Sequence, residues 1–174
     1  MNVAVSNRQR ILKVDTAKVR KLFACFLRLA LARKAEDWGE IVLVLSDDSR
    51  IRAVNRLHLG HDYATDVIAY TYPPAPGDPG NGCSGEVFAN VERAAQVGPR
   101  HGGLAHELAL YIAHGCDHLA GSSDGTAAQR NRMRRRELAW IRRTQNRLPD
   151  ALAFLAPPRA TTVRGRPPAG GSRR

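Results

Sequence analysis

The chain has 174 residues, 43% of them hydrophobic, which is enough for one domain with a real core and excludes a wholly disordered protein. Its longest apolar run, residues 22–32, is interrupted by Arg28 and flanked by Lys21 and Arg33, so no stretch approaches the roughly 18–20 residues of a membrane helix. The net charge of +11 is uneven: residues 1–124 balance 14 Lys/Arg against 14 Asp/Glu, whereas residues 125–147 hold eight arginines and one acid and residues 157–174 hold five arginines and none. A basic segment appended to a neutral core points to a polyanionic partner, with a solvated helix face as the plainer alternative.

In chain order, residues 3–5 and 11–14 are β-prone, and Asp15 or Thr16 can cap a helix in which Val19, Leu22, Phe23, Phe26, Leu27 and Ala30 recur at three and four. Residues 41–45 read as a buried strand. Residues 46–49, Ser-Asp-Asp-Ser, offer caps for a second helix with Ile51, Val54 and Leu57 on its inner face. Strands are expected at 67–70 and 85–89, separated by a Pro/Gly loop over 73–82 and followed by a short helix near 92–97. The strongest helix runs over 104–119. An Arg-rich helix over about 126–147 turns Met133, Leu138, Trp140 and Ile141 inward. The expected architecture is α+β: a small mixed sheet packed with about five helices in a domain spanning 1–156, followed by a basic disordered tail, 157–174.

The N-terminal MNVAVSNRQR lacks the layout of a signal peptide, so a cytoplasmic protein without a membrane partner is expected. The three cysteines, Cys25, Cys83 and Cys116, have no framework spacing.

Chemistry concentrates in His114-Gly-Cys-Asp-His118-Leu-Ala-Gly-Ser-Ser-Asp124. Residues four apart on a helix are offset by only about 40°, so the two imidazoles can meet at one point. Gly121 lets the chain leave through a left-handed cap and swing Asp124 back as a third ligand. Two nitrogens and a carboxylate suit one zinc ion per chain at about 2.0–2.2 Å, with a fourth position open. Asp117 can orient a ligand or lie on the helix surface. The pair His106-Glu107 begins like the HExxH motif, but position 110 is Leu. The residue after His114 is Gly115, so a peptidase glutamate is missing.

These residues resemble the YbeY family, whose signature HGxLHLxGYDH is matched by HGCDHLAGSSD over 114–124. A second family block, LN(R)xYRxKDxPTDVLSFP, is matched over 54–73 by VNRLHLGHDYATDVIAYTYP, with Asn55, Asp62, Thr65, Asp66 and Val67 in register. A third, GDIVIS-like, is echoed by residues 85–90. This chain departs from the pattern at Asp124, where the third ligand is typically histidine, at Asp117, where the family is apolar, and at Leu59, where the family has an arginine thought to act on the RNA phosphate.

The resemblance implies a zinc-dependent, single-strand-specific endoribonuclease of ribosomal RNA maturation (the 16S 3′ end) and ribosome quality control, with the zinc in a cleft between sheet and helices. RNA and the ribosome are the expected partners, and DNA is not; the sequence carries no signal for oligomeric state. Arg56, one turn before Leu59, is the candidate for neutralising the phosphate, or His58 or His61 in its place. Arg130, Arg132, Arg134 and Arg135 are candidates for holding the RNA backbone. Two alternatives stand beside this: a ribosome-associated zinc protein without cleavage activity, favoured by Leu59, and a metallohydrolase of a non-RNA substrate.

Overall fold

The computed structural model describes residues 1–32, 34, 37–74 and 82–155. The expected tail, 157–174, and most of the 73–82 loop lie outside the described residues. Among the described residues, four strands and five helices follow in the order β1 (Asn2–Asn7), α1 (Thr16–Leu31), β2 (Trp38–Ser46), α2 (Asp48–Leu59), β3 (Val67–Tyr72), β4 (Cys83–Asn90), α3 (Val91–Val97), α4 (Leu104–Leu119) and α5 (Ala127–Arg147). The fold is the expected α+β arrangement. Strand order is β1-β2-β4-β3: β1, β2 and β4 run parallel, and β3 pairs antiparallel with β4 at the sheet edge.

Register explains which side of the sheet carries the core. Ile41, Leu43 and Leu45 of β2 stand beside Gly85, Val87 and Ala89 of β4, and Val67 and Ala69 of β3 continue that row. Side chains alternate across a strand, so these residues share one face. α1 and α4 cover that face. α1 buries Val19, Leu22, Phe23, Phe26 and Leu27, a stripe at three- and four-residue spacing, and its N-terminus is capped by the Asp15 carboxylate, which accepts from Ala17 N and Lys18 N. Each fully buried Phe of that stripe contributes roughly 1.5–3 kcal/mol of apolar transfer. The opposite face is thinner, with α2 resting on Ile68 and neighbours of β3 and β4.

Two expectations about local structure are corrected. Residues 11–14 form no strand: the buried Gln9 amide accepts from Ile11 N and Leu12 N and donates to Leu12 O, fixing a turn, and Val14 makes only an isolated bridge to Leu155. Leu57 does not face inward. It is 79% exposed, because α2 meets the sheet through Ile51 and Asn55, which lie on another face of the helix.

Candidate metal centre

α4 is buried almost all round, between the sheet, α1 and α5. Gly115 makes that depth possible. A Cβ there would overlap the Val87 side chain and crowd Val67, so the missing side chain lets α4 sit directly on β3 and β4. The Gly of the His-Gly pair therefore sets the height of both histidines above the sheet.

The end of α4 brings the third donor round. Gly121 has φ +78°, Gly121 N donates to His118 O at 2.8 Å, and Ser122 N donates to Asp117 O at 3.1 Å. These two bonds are those of a Schellman cap, which glycine adopts without a Cβ penalty. The reversed chain returns Asp124 beside the histidines, and one donor atom from each of His114, His118 and Asp124 lies within 4.8 Å of the others.

Hydrogen bonding behind the imidazoles aims them. Buried Glu137 of α5 accepts from His114 Nδ1 at 2.7 Å, and the Ser122 carbonyl accepts from His118 Nδ1 at 3.0 Å. With both Nδ1 atoms donating, each Nε2 presents a lone pair, and the two Nε2 atoms face each other at 3.0 Å. The Asp124 carboxylate stands 3.7 Å from His114 Nε2. Two lone pairs and a carboxylate at such separations repel unless a proton or a metal ion lies among them, and tetrahedral donors about 2.0–2.2 Å from zinc are themselves spaced by roughly 3.3–3.6 Å. The donor set fits a metal ion. Burial, the largest single influence, depresses the His114 pKa. The Glu137 hydrogen bond and the charges of Glu137, Asp66 and Asp124 more than offset it, leaving the imidazole more basic than usual.

The centre opens on a cleft of about 450 Å³. α4 supplies one wall through Glu107, Tyr111 and His114; α5 supplies another through Arg130, Arg134 and Glu137; Asp66, at the start of β3, forms the rim. Asp66 is placed by the β4–α3 junction, where Asn90 N donates to Asp66 O and the Asn90 side chain donates to Thr65 O. Glu107 is 5% exposed, and its Oε2 lies 3.3 Å from His101 Nδ1.

The structure thus gathers His114, His118 and Asp124 into one cluster and places Arg130 and Arg134 in its cleft. Arg132 and Arg135 are exposed on α5 and do not line the cleft. Arg56 is likewise exposed and outside the cleft lining, with its charge acting on Asp62, which is held by Arg52 at 2.8 Å. His58 and His61 pack against Tyr70 and Tyr63 instead of approaching the centre. Cys116 is fully buried, and burial pushes its thiol pKa well up. Sequence reasoning missed Glu137 and Arg136. Both sit in an Arg-rich helical run that reads as solvated, and their partners lie 23 and 19 residues away.

Fold and site together define a class: α+β proteins in which one buried helix and its C-terminal turn present two imidazoles and a carboxylate to a cleft. The family model described as Endoribonuclease YbeY matches residues 4–145. Curated proteins named Endoribonuclease YbeY are similar. That of Elusimicrobium minutum is 36% identical over 114 residues, 64% of this chain and 79% of that protein. Those of Salinibacter ruber (32%; 70% of this chain and 83% of that protein) and Moorella thermoacetica (31%; 81% and 96%) extend the match. The solution structure of a Thermotoga maritima protein superimposes with TM-score 0.54 at 15% identity, covering 83% of this chain and 90% of that one, a likeness of fold. The chain belongs to the endoribonuclease YbeY family.

Proposed function

We propose that this protein is a zinc-dependent endoribonuclease acting on single-stranded RNA in ribosomal RNA maturation, in the cytoplasm and in contact with the ribosome. The observation that carries this is the convergence of His114 and His118 Nε2 with Asp124 in a cleft whose α5 wall bears Arg130 and Arg134, in a chain of a family named for RNA cleavage. A zinc ion there supplies a Lewis acid for the phosphoryl oxygen. Histidine and carboxylate donors both suit zinc.

The remaining work falls to side chains. His114 and His118 are held by Glu137 and the Ser122 carbonyl with Nε2 forward, so no reorientation is needed when substrate arrives. Arg134 and the free nitrogens of Arg130 face the cleft, where they can pair with phosphates flanking the scissile bond. Arg132 and Arg135 extend the basic strip along α5, and the five arginines of 157–174 add to the net positive charge of the chain. Arg56 is a candidate for a more distant phosphate. It stands outside the cleft lining, so Arg134 is better placed than Arg56 for the charge that develops at the reacting phosphate.

Binding to single-stranded RNA is expected to weaken linearly in log–log salt titrations. Arg130→Gln with Arg134→Gln should lower the slope by about one to two phosphate contacts. Metal-loaded wild-type protein should cut single-stranded RNA and leave DNA of the same sequence intact. A salt slope unchanged by the double substitution, together with cleavage of neither polymer, refutes the proposed function.

A further inference from the structure

α5 is tied to each of the three metal-donor residues by a separate route. Its Glu137 holds His114 Nδ1 at 2.7 Å. Its Arg130 donates through Nη1 to the backbone carbonyl of Asp124 at 2.9 Å. Its Arg136 reaches the third donor indirectly. Arg136 Nη2 donates to both oxygens of Asp117 at 2.7 Å and to Ser122 Oγ at 2.8 Å, and Nε adds a bond to Asp117 at 3.0 Å. Ser122 Oγ donates to Asp117 at 2.7 Å, and the Ser122 carbonyl accepts from His118. Asp117 is 1% exposed, and the guanidinium lies over Trp140 at 5.9 Å. A buried carboxylate held bidentately is fixed in direction as well as charge, so the turn carrying Ser122 and Asp124 is fastened at both ends.

We infer that Asp117, Arg136 and Ser122 form a lock that positions His118 and the 120–124 turn for metal binding, with α5 as the strut that pre-sets the metal centre. The inference rests on the metal-binding reading of His114, His118 and Asp124. It adds positioning residues that do not touch the ion. The lock also accounts for a buried acid at 117, next to fully buried Cys116: its charge is matched by Arg136, and its oxygens also accept from Ser122 of the ligand turn.

The test is metal affinity measured by competition with a chromogenic chelator, together with the visible spectrum of the Co(II)-substituted protein, which reports donor geometry. Ser122→Ala removes the hydroxyl bonds and keeps the ion pair. Asp117→Leu combined with Arg136→Met removes the pair without leaving a buried charge unpaired, a kind of replacement that is often neutral for stability. The double variant is expected to bind zinc ten- to hundredfold more weakly, the usual cost of losing an outer orienting partner. Ser122→Ala should lose less, and both should show an altered Co(II) spectrum. Arg142→Met, an exposed arginine on the same helix, should match wild type. Wild-type affinity and an unchanged Co(II) spectrum in both Ser122→Ala and the double variant overturn the lock while leaving the metal centre intact. A wild-type protein that takes up no metal overturns both.

Discussion

Replacing His118 with alanine is expected to take the metal content of the purified protein from about one ion per chain to none, and RNA cleavage to the uncatalysed background. Among the described residues the cluster has three protein donors, and His118 Nε2 faces His114 Nε2 at 3.0 Å. Its loss leaves one imidazole and one half-exposed carboxylate, fewer protein donors than a catalytic zinc ordinarily keeps. The scaffold should survive, since His118 is part-buried and outside the core, whose contacts on α4 come from Leu108, Ile112, Cys116 and Leu119. Elemental analysis and circular dichroism on the same sample measure both. Cys116→Ser, beside the cluster but buried away from it, should keep its metal. Full occupancy in His118→Ala would remove the ligand assignment.

The second large effect is structural and begins one residue from a proposed ligand. Gly115→Ala adds a methyl group where the Val87 side chain already sits, with Val67 also close. Val87 is fully buried and β-branched, so it cannot rotate away cheaply. α4 must lift from β3 and β4, an overpacking cost of about 1–3 kcal/mol, or a fall in melting temperature of several degrees. Because His114 and His118 ride on that helix while Glu137, which aims His114 Nδ1, belongs to α5, a shifted α4 disturbs that bond and zinc affinity should fall with stability. Gly60→Ala at the end of α2 is the comparison: nothing crowds its Cβ, so strain arises only from φ +73°, and the metal centre should be untouched. Unchanged stability and affinity in Gly115→Ala would show that this contact does not set the helix height.

Much of this arrangement was legible in the sequence, and the reasons are local. The pair His114/His118 and the exit at Gly121 depend on helix periodicity and one left-handed residue, both written in consecutive letters. The buried rows of α1 and β2 follow from apolar spacing. The capping box at Thr126 and Gln129 confirms the start expected for the Arg-rich helix. What could not be read was decided by distant partners. Glu137 and Asp117 look like surface acids until α5 folds against α4, and only then do His114 and Arg136 make their burial affordable. The β-prone residues 11–14 lost to the Gln9 amide, whose hydrogen bonds offered the backbone a turn instead of a ladder. Period alone puts Leu57 inward, but α2 meets the sheet through the faces of Ile51, Asn55 and His58, whose ring packs on Tyr70, and Asn55 donates to Tyr63 O. The position of Arg56 outside the cleft lining follows from the same rotation of α2.

The central claim is that His114, His118 and Asp124 hold a metal ion that drives RNA cleavage. It is tested most directly by one preparation assayed three times on a single-stranded ribosomal RNA fragment: loaded with one zinc per chain, stripped by chelator, and reloaded. Cleavage by the loaded protein, none by the stripped protein, and full recovery on reloading are expected. Equal cleavage by stripped and loaded protein, or no cleavage at full zinc occupancy, would contradict it.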